Sequence, residues 1–360
     1  MTHVGTTPLT YQVFVAPPEL TALKDQRPGG QFLAWSPISA TLITGERDAV
    51  LVDPLLTRTQ AHALANWVDA GGKNLTAVYV THGHGDHFFG LGIILDRFPE
   101  ARGLATPAVV EYMRSQVQPD AVGSFWERLF PGQLPDRLDI AEPLDQPALD
   151  LEGHPLVAVD LGHTDTHHTT CLHVPDIGLV VAGDAVYNDV HLYLAESNPE
   201  RRQEWLAALD VIEALNPVAV VAGHKRASRD DHPRILEETR QYIRDFEKIA
   251  ADTRAAQPLR PDAVPASRPR EPRRSVGIRT SRHGRELTGP GAGLRAIDGR
   301  YSPIPRAKHA GRQPVHRQSP RPGWPGSGVR AVPAQAVREH VRRHGRVKQP
   351  RAGRASSDRT

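Results

Sequence analysis

The chain has 360 residues, a single cysteine and a formal net charge of +3. One cysteine excludes a disulfide framework and a cysteine-rich zinc module, and no apolar run reaches the roughly 20 residues that a membrane-spanning helix needs. The N-terminus lacks the basic start and apolar stretch of a secretory signal, so we expect a soluble cytoplasmic protein.

The small net charge is the sum of two segments of opposite sign. Residues 251–360 carry 25 Lys and Arg against 7 Asp and Glu, a net of +18, whereas the first 250 residues carry a net of −15. We therefore expect an acidic body over residues 1–255, followed by a basic tail rich in Arg and Pro over residues 256–360.

Hydrophobic periodicity and turn signals predict an alternation of strands and helices in the body. In chain order these are strands 40–44 and 49–52, helix 57–70, strand 75–80, helices 91–98 and 108–116, strands 156–160, 170–174 and 179–182, helix 200–215, strand 218–222 and helix 233–249. This alternation indicates an α/β domain in which helices cover the sheets.

From about residue 256 no period persists apart from a weak helical stretch near residues 334–343, and the segment has 14 prolines but only Tyr301 and Trp324 as aromatic residues. Such a composition cannot bury enough apolar surface to offset chain entropy, so we expect a disordered tail. Three interpretations stay open: a nucleic-acid-binding extension, a linker or solubility tail, and an out-of-frame translation product. Scarce aromatics disfavour nucleic-acid binding. Abundant Arg, Pro, Gly and Ala with little Lys is typical of GC-rich DNA read out of frame.

The densest chemical signal directly follows the predicted strand 75–80 and reads Thr81-His82-Gly83-His84-Gly85-Asp86-His87. Alternate positions of an extended loop let His82 and His84 converge on one metal ion, while Asp86 and His87 turn toward a second. Neutral imidazole and carboxylate suit Zn²⁺ and also Fe or Mn. The pattern therefore predicts a metal site with room for two ions.

Three further candidate ligands follow other predicted strands, and a glycine precedes each of them. His163 comes after strand 156–160, Asp184 after strand 179–182 and His224 after strand 218–222. Loops at strand ends gather around functional sites in α/β architectures, so we expect these side chains to join the histidine-rich loop.

This ordered set of motifs resembles that of the metallo-β-lactamase fold superfamily over roughly residues 35–230. The resemblance implies an αββα sandwich with a dinuclear site along one edge. It implies that His82, His84 and His163 hold the first ion, that Asp86, His87 and His224 hold the second, and that Asp184 and a hydroxide bridge the two.

Details of the motifs favour the glyoxalase II and lactonase-like branch. The diiron flavoprotein branch has Glu where this chain has His84, and Cys171 falls in a predicted strand rather than at a metal-ligand position. Asp184 and Tyr187 have the Asp-x-x-Tyr spacing of quorum-quenching lactonases. This similarity implies that the Tyr187 hydroxyl binds the substrate carbonyl, with a packed tyrosine as the alternative.

The resemblance implies a metal-dependent hydrolase that acts on a small ester, lactone or thioester. Two Zn²⁺, or Fe or Mn in their place, would generate the hydroxide nucleophile, and Asp86 would carry a proton to the leaving group. The alternatives are a mononuclear iron persulfide dioxygenase and, through the tail, a nucleic-acid-binding protein. We expect a small-molecule substrate and no membrane partner.

Residues around the motifs give weaker expectations. His167 is predicted to orient the loop of His163. An apolar pocket could form from Trp35, Phe88, Phe89 and Trp126, with core packing as the alternative for each. Lys225, next to His224, is predicted to be a surface charge.

Overall fold

A computed structural model describes residues 8–24, 30 and 32–256 of the chain. The predicted basic tail lies outside the described residues apart from Ala256, so its three interpretations stay predictions. The described residues up to Asp245 belong to the unit that contains every strand that the structure describes, and the described part of a second unit is the end of a long helix, residues 246–256.

Thirteen strands form within the described residues: β1 Thr10–Val15, β2 Leu20–Lys24, β3 Phe32–Ala34, β4 Ser39–Thr44, β5 Asp48–Val52, β6 Asn74–Tyr79, β7 Arg102–Ala105, β8 Glu142–Pro143, β9 Ala148–Leu151, β10 His154–Gly162, β11 Thr169–Val174, β12 Leu179–Asn188 and β13 Ala219–Lys225. The same part of the chain forms eight α-helical segments: α1 Arg58–Ala70, α2 Gly85–Phe88, α3 Leu91–Arg97, α4 Pro107–Gln116, α5 Pro119–Ala121, α6 Glu127–Leu129, α7 Pro199–Ala214 and α8 Ile235–Ala256. A π-helical turn, Val122–Trp126, links α5 to α6, and a 3-10 turn, Pro175–Ile177, links β11 to β12.

Two mixed sheets form the centre of the fold. One has the order β1-β4-β5-β6-β7-β8, antiparallel from β1 to β5 and parallel from β5 to β8. The other has the order β13-β12-β11-β10-β9 and is antiparallel except for the parallel pair β12 and β13. Strands β2 and β3 form a separate antiparallel pair.

Apolar side chains from both sheets pack in one buried cluster that includes Ile43, Val52, Leu156, Leu172 and Val181. A second buried cluster joins the other face of the first sheet to α1, α3 and α4. Helix α7 packs on β10 and β12. The layers are therefore helix, sheet, sheet and helix, which confirms the predicted αββα sandwich.

Local signals account for the helices that the sequence predicts. Thr57 caps α1 through a capping box with Gln60, and Gly71 ends it. Asn198 caps α7, which then begins with Pro199. Strands β1, β2, β3, β7, β8 and β9 are absent from the prediction, because each is either very short or only partly apolar. No helix among the described residues is long and apolar enough to cross a membrane.

The expectation that Lys225 is a surface charge is wrong. Strand β13 continues through Lys225, whose side chain is buried and forms an ion pair with Asp231. The charge is tolerated inside because a carboxylate from the following loop neutralises it.

Candidate metal centre

Six of the seven predicted ligands come together, from the loop and short helix that follow β6 and from the neighbouring strands β12 and β13. His82 and His84 lie in the loop between β6 and α2, and Asp86 and His87 lie in α2. Asp184 lies on β12 beside β13, which carries His224. An antiparallel bridge between Ile38 and His224 joins the end of β13 to the segment before β4.

Glycine is required where the backbone passes close to these side chains. A Cβ atom added at Gly223 would lie 2.1 Å from Asp184 Oδ1, and one added at Gly83 would lie 2.5 Å from Tyr112 Cδ1. Both separations are far below van der Waals contact. Gly83 and Gly223 therefore serve close packing against neighbours in the site, whereas a Cβ atom at Gly162 would meet no atom within 4 Å.

Asp86, His87 and His224 form one buried group of possible ligands. His87 Nε2 lies 3.4 Å from His224 Nε2 and 3.8 Å from Asp86 Oδ2, and His224 Nε2 lies 3.2 Å from the same oxygen. Ligand atoms that share one tetrahedral Zn²⁺ are about 3.3 Å apart, given bonds of about 2.0 Å. The spacing of this group fits a single ion.

His82, His84, Asp165 and Asp184 form a second buried group. Asp165 Oδ2 lies 2.8 Å from His84 Nδ1 and 3.6 Å from His82 Nε2. Asp184 also approaches the other group, with Oδ1 at 3.1 Å from His87 Nε2 and Oδ2 at 3.2 Å from His224 Nε2. Asp184 thus lies between the two groups, as a bridging ligand would.

His163 lies outside both groups of described residues, and Asp165, two residues further on, takes a place that the sequence analysis did not foresee. His163 is nevertheless buried, with Nδ1 at 2.8 Å from the Thr164 carbonyl. The ring of His167 is exposed and lies edge-on to that of His163, with 4.5 Å between centroids. The ligand role of His163 stays a prediction.

Two buried imidazole nitrogens of this centre, His82 Nε2 and His163 Nε2, have no hydrogen-bond partner among the described residues, and Asp165 Oδ2 and Asp184 Oδ1 face only imidazole nitrogens of the same cluster. An unpaired polar atom in the interior costs about 1–3 kcal/mol. Several such atoms in one cluster of imidazoles and carboxylates are the expected arrangement for ligands directed at a cation, so the residues present fit a metal site.

The electrostatics of the cluster agree with that conclusion. Burial opposes protonation of His224, but Asp184 and Asp86 raise its pKa to about 9. The same carboxylates raise the pKa of His87 well above its usual value, again against the effect of burial. Burial would raise the pKa of Asp184, yet His224 and His87 hold it well below its usual range. The carboxylates therefore require positive charge beside them, which protons or metal ions can supply.

Asp53 binds both ends of the histidine loop through hydrogen bonds, and it is not among the predicted site residues. This buried carboxylate accepts hydrogen bonds from Thr81 N at 2.9 Å, from Thr81 Oγ1 at 2.8 Å and from His87 Nδ1 at 3.0 Å. The Thr81 hydroxyl also lies 3.0 Å from His82 Nδ1. Its position directly after strand β5 is a signal that could have identified it, because other acidic candidates were chosen for the same kind of position.

A cavity of about 260 Å³ opens beside the centre. Its lining combines aromatic residues with cluster carboxylates: Trp35, Phe125, Trp126, Tyr193, Asp86, Asp184 and Glu196 are among them. Trp35 Nε1 donates a hydrogen bond to Asp86 Oδ2 at 3.0 Å. Trp35 and Trp126 thus line the cavity as one prediction had it, whereas Phe88 and Phe89 are fully buried in the core.

Tyr187 contacts two of the predicted metal ligands. Its side chain is buried, its ring stacks on that of His224 and its hydroxyl donates a hydrogen bond to Asp184 Oδ2 at 2.7 Å. It does not line the cavity formed by the described residues, whereas Tyr193 does. A contact between Tyr187 and substrate stays a prediction.

Several solved structures are similar to this chain, all at low identity. A metallo-β-lactamase family protein from Thermus thermophilus is 19% identical over 66% of this chain and 81% of its own, with a TM-score of 0.46. A metallo-β-lactamase from Pontibacter korlensis is 14% identical over 65% of this chain and 100% of its own, with a TM-score of 0.46. The metallo-β-lactamase FIM-1 from Pseudomonas aeruginosa is 18% identical over 64% of this chain and 96% of its own, with a TM-score of 0.44.

No curated protein matches the sequence. The family model for the metallo-β-lactamase superfamily matches residues 33–224, more than half of the chain. That segment contains all seven predicted metal ligands as well as Asp53, Asp165 and Tyr187. The chain belongs to the metallo-β-lactamase superfamily.

Proposed function

We propose that this protein is a dinuclear metal-dependent hydrolase of a small, uncharged ester, lactone or thioester. The observation that carries the proposal is the pair of buried ligand groups with Asp184 between them. His82, His84, Asp184 and either His163 or Asp165 would hold one ion, and Asp86, His87, His224 and Asp184 the other. Two such cations supply a Lewis acid and a water-derived nucleophile at neutral pH, with Zn²⁺ as the first expectation.

The chain's own residues would position substrate and move protons. Burial would raise the pKa of Asp86, but His87 and His224 hold it well below its usual range, so the carboxylate is ionised at neutral pH. It faces the cavity, where it can accept a proton from water and deliver it to a leaving group. Trp35 fixes its orientation.

The cavity supports an apolar, uncharged substrate. Rings of Trp35, Phe125 and Trp126 meet edge to face and offer an apolar wall for an acyl or alkyl group. Glu196 adds negative charge at the same cavity, which disfavours an anionic substrate. The lactonase-like assignment and the substrate role of Tyr187 rest on the Asp-x-x-Tyr resemblance and belong to this proposal.

The test combines metal analysis with a substrate screen of esters, lactones, thioesters, phosphodiesters and β-lactams. We expect about two ions per chain and turnover of an ester, lactone or thioester. His82→Ala and Asp184→Ala should lose metal and activity together, while His191→Ala, a change at an exposed histidine bonded to Tyr242, should retain both. The proposal would be refuted in favour of a dioxygenase if the protein held one iron per chain and consumed oxygen when a persulfide was supplied as substrate.

A further inference from the structure

We propose that Glu196 is a positioning residue that fixes the orientation and tautomer of His84, so that this ring presents Nδ1 to the first metal ion. The inference rests on the metal site of the proposed function. Glu196 lies in the segment between β12 and α7, 112 residues after His84, with its Oε1 at 3.1 Å from His84 Nε2.

His84 differs from the other four predicted histidine ligands in the nitrogen that it keeps free. The others place Nδ1 beside an oxygen: His82 beside Thr81 Oγ1, His87 beside Asp53, His163 beside the Thr164 carbonyl and His224 beside the Ser36 carbonyl. In His82, His87 and His224 the other ring nitrogen, Nε2, is directed at a cluster carboxylate. In His84 the arrangement is reversed, because Nε2 faces Glu196 and Nδ1 lies 2.8 Å from Asp165 Oδ2.

A neutral imidazole has one N–H donor and one nitrogen with a free lone pair. When His84 donates Nε2–H to Glu196, Nδ1 is the nitrogen left to bind a metal ion in place of the proton that it shares with Asp165 Oδ2. Without an acceptor at Nε2, the ring can take the other tautomer or turn over, and either change removes the lone pair from the cluster.

Glu196 is itself held in place by separate parts of the fold. Its Oε2 accepts hydrogen bonds from Thr166 Oγ1 at 2.7 Å, in the loop between β10 and β11, and from Tyr112 hydroxyl at 3.2 Å, on α4. The acceptor is therefore pre-oriented toward His84.

The expected effect is a loss of metal affinity. Removal of an outer partner of a metal-binding histidine typically costs 10–100-fold in affinity. The Glu196 side chain is 34% exposed, so water can replace part of its hydrogen bonding, and we expect about tenfold for Glu196→Ala. Glu196→Gln keeps an oxygen acceptor and should lose less. Glu111→Gln is the matched control, since it removes one negative charge from α4 on a 77% exposed side chain paired with Arg114.

The experiment measures Zn²⁺ affinity by competition with a chromophoric chelator and the His84 tautomer by ¹⁵N NMR of the ring nitrogens. Support would be, in the Zn²⁺-loaded protein, a single Nε2–H tautomer of His84 in wild type, mixed tautomers and about tenfold weaker binding in Glu196→Ala, and wild-type behaviour in Glu111→Gln. If Glu196→Ala fails to fold, Glu196→Leu, which fills the space without an oxygen, decides by the same readouts.

Two results would overturn the inference alone: wild-type affinity with an unchanged tautomer when the oxygen is removed, or an equal loss in Glu111→Gln. A wild-type chain that binds no metal would overturn the proposed function and this inference with it, so the two failures are distinguishable.

Discussion

Replacement of Asp53 by Asn tests whether one buried carboxylate organises both halves of the metal centre. The backbone at Asp53 has φ 60°, a left-handed conformation that Asn adopts as readily as Asp, so the change alters hydrogen bonding without backbone strain. The amide keeps one oxygen for Thr81 N. Its NH₂ group then faces His87 Nδ1, where the carboxylate accepted a hydrogen bond.

His87 has two ways to respond, and both weaken metal binding. It can keep Nδ1–H and lose a hydrogen bond to a charged acceptor, or it can take the other tautomer and place a proton on Nε2, the atom directed at Asp184 and His224. A hydrogen bond to a charged group contributes about 1.5–3 kcal/mol. A loss of about 2 kcal/mol corresponds to about 30-fold in affinity.

We therefore expect Asp53→Asn to bind Zn²⁺ about 30-fold more weakly at one site and to lower the free energy of unfolding of the metal-free protein by about 2 kcal/mol. Chelator competition and urea denaturation measure the two quantities. Asp189→Asn is the control, because Asp189 also has φ 60° but its side chain is 44% exposed and pairs with Arg226. Unchanged affinity and stability in Asp53→Asn would refute the reasoning.

Three further predictions follow from other contacts. Trp35→Phe keeps an aromatic wall but removes the donor to Asp86, so kcat should fall about tenfold while the midpoint of thermal unfolding stays nearly constant. Glu152→Ala removes the carboxylate that accepts hydrogen bonds from three backbone N–H groups at residues 46–48, and should lower the free energy of unfolding by about 2 kcal/mol in urea titrations. Burial would raise the pKa of Glu152 but those N–H groups lower it, so its contribution should be present above its ordinary pKa of 4.5 and disappear as pH falls. Burial raises the pKa of Cys171 to about 12, so iodoacetamide at pH 8 should alkylate it only in denaturant, and its contribution to stability should be full below pH 9 and lost as pH rises toward 12.

Much of the fold was predictable because its signals are local. Thr57 and Gly71 mark the ends of α1, and the apolar run that forms β6 is continuous in sequence. The hairpin of β4 and β5 follows from two short apolar runs joined by a turn. The strands missing from the prediction carry weak patterns of their own and depend on neighbouring strands for their pairing.

The candidate site divides in the same way. Its histidines and acids could be selected because each comes directly after a predicted apolar run, although β12 and β13 continue through Asp184 and His224 in the structure. The role of Asp165 beside His84, and the burial of Lys225 against Asp231, could not be read from local pattern. Both depend on which side chains face each other after folding.

The sequence by itself determined the main alternation of strands and helices, the separation into an acidic body and a basic tail, and a short list of ligand candidates, and its resemblance to a known superfamily implied the αββα architecture. Only the tertiary structure decided which nitrogen of each histidine faces the cluster and which groups hold it there. The reason is distance along the chain: periodicity and capping act over a few residues, whereas Asp53 meets His87 across 34 positions and Glu196 meets His84 across 112.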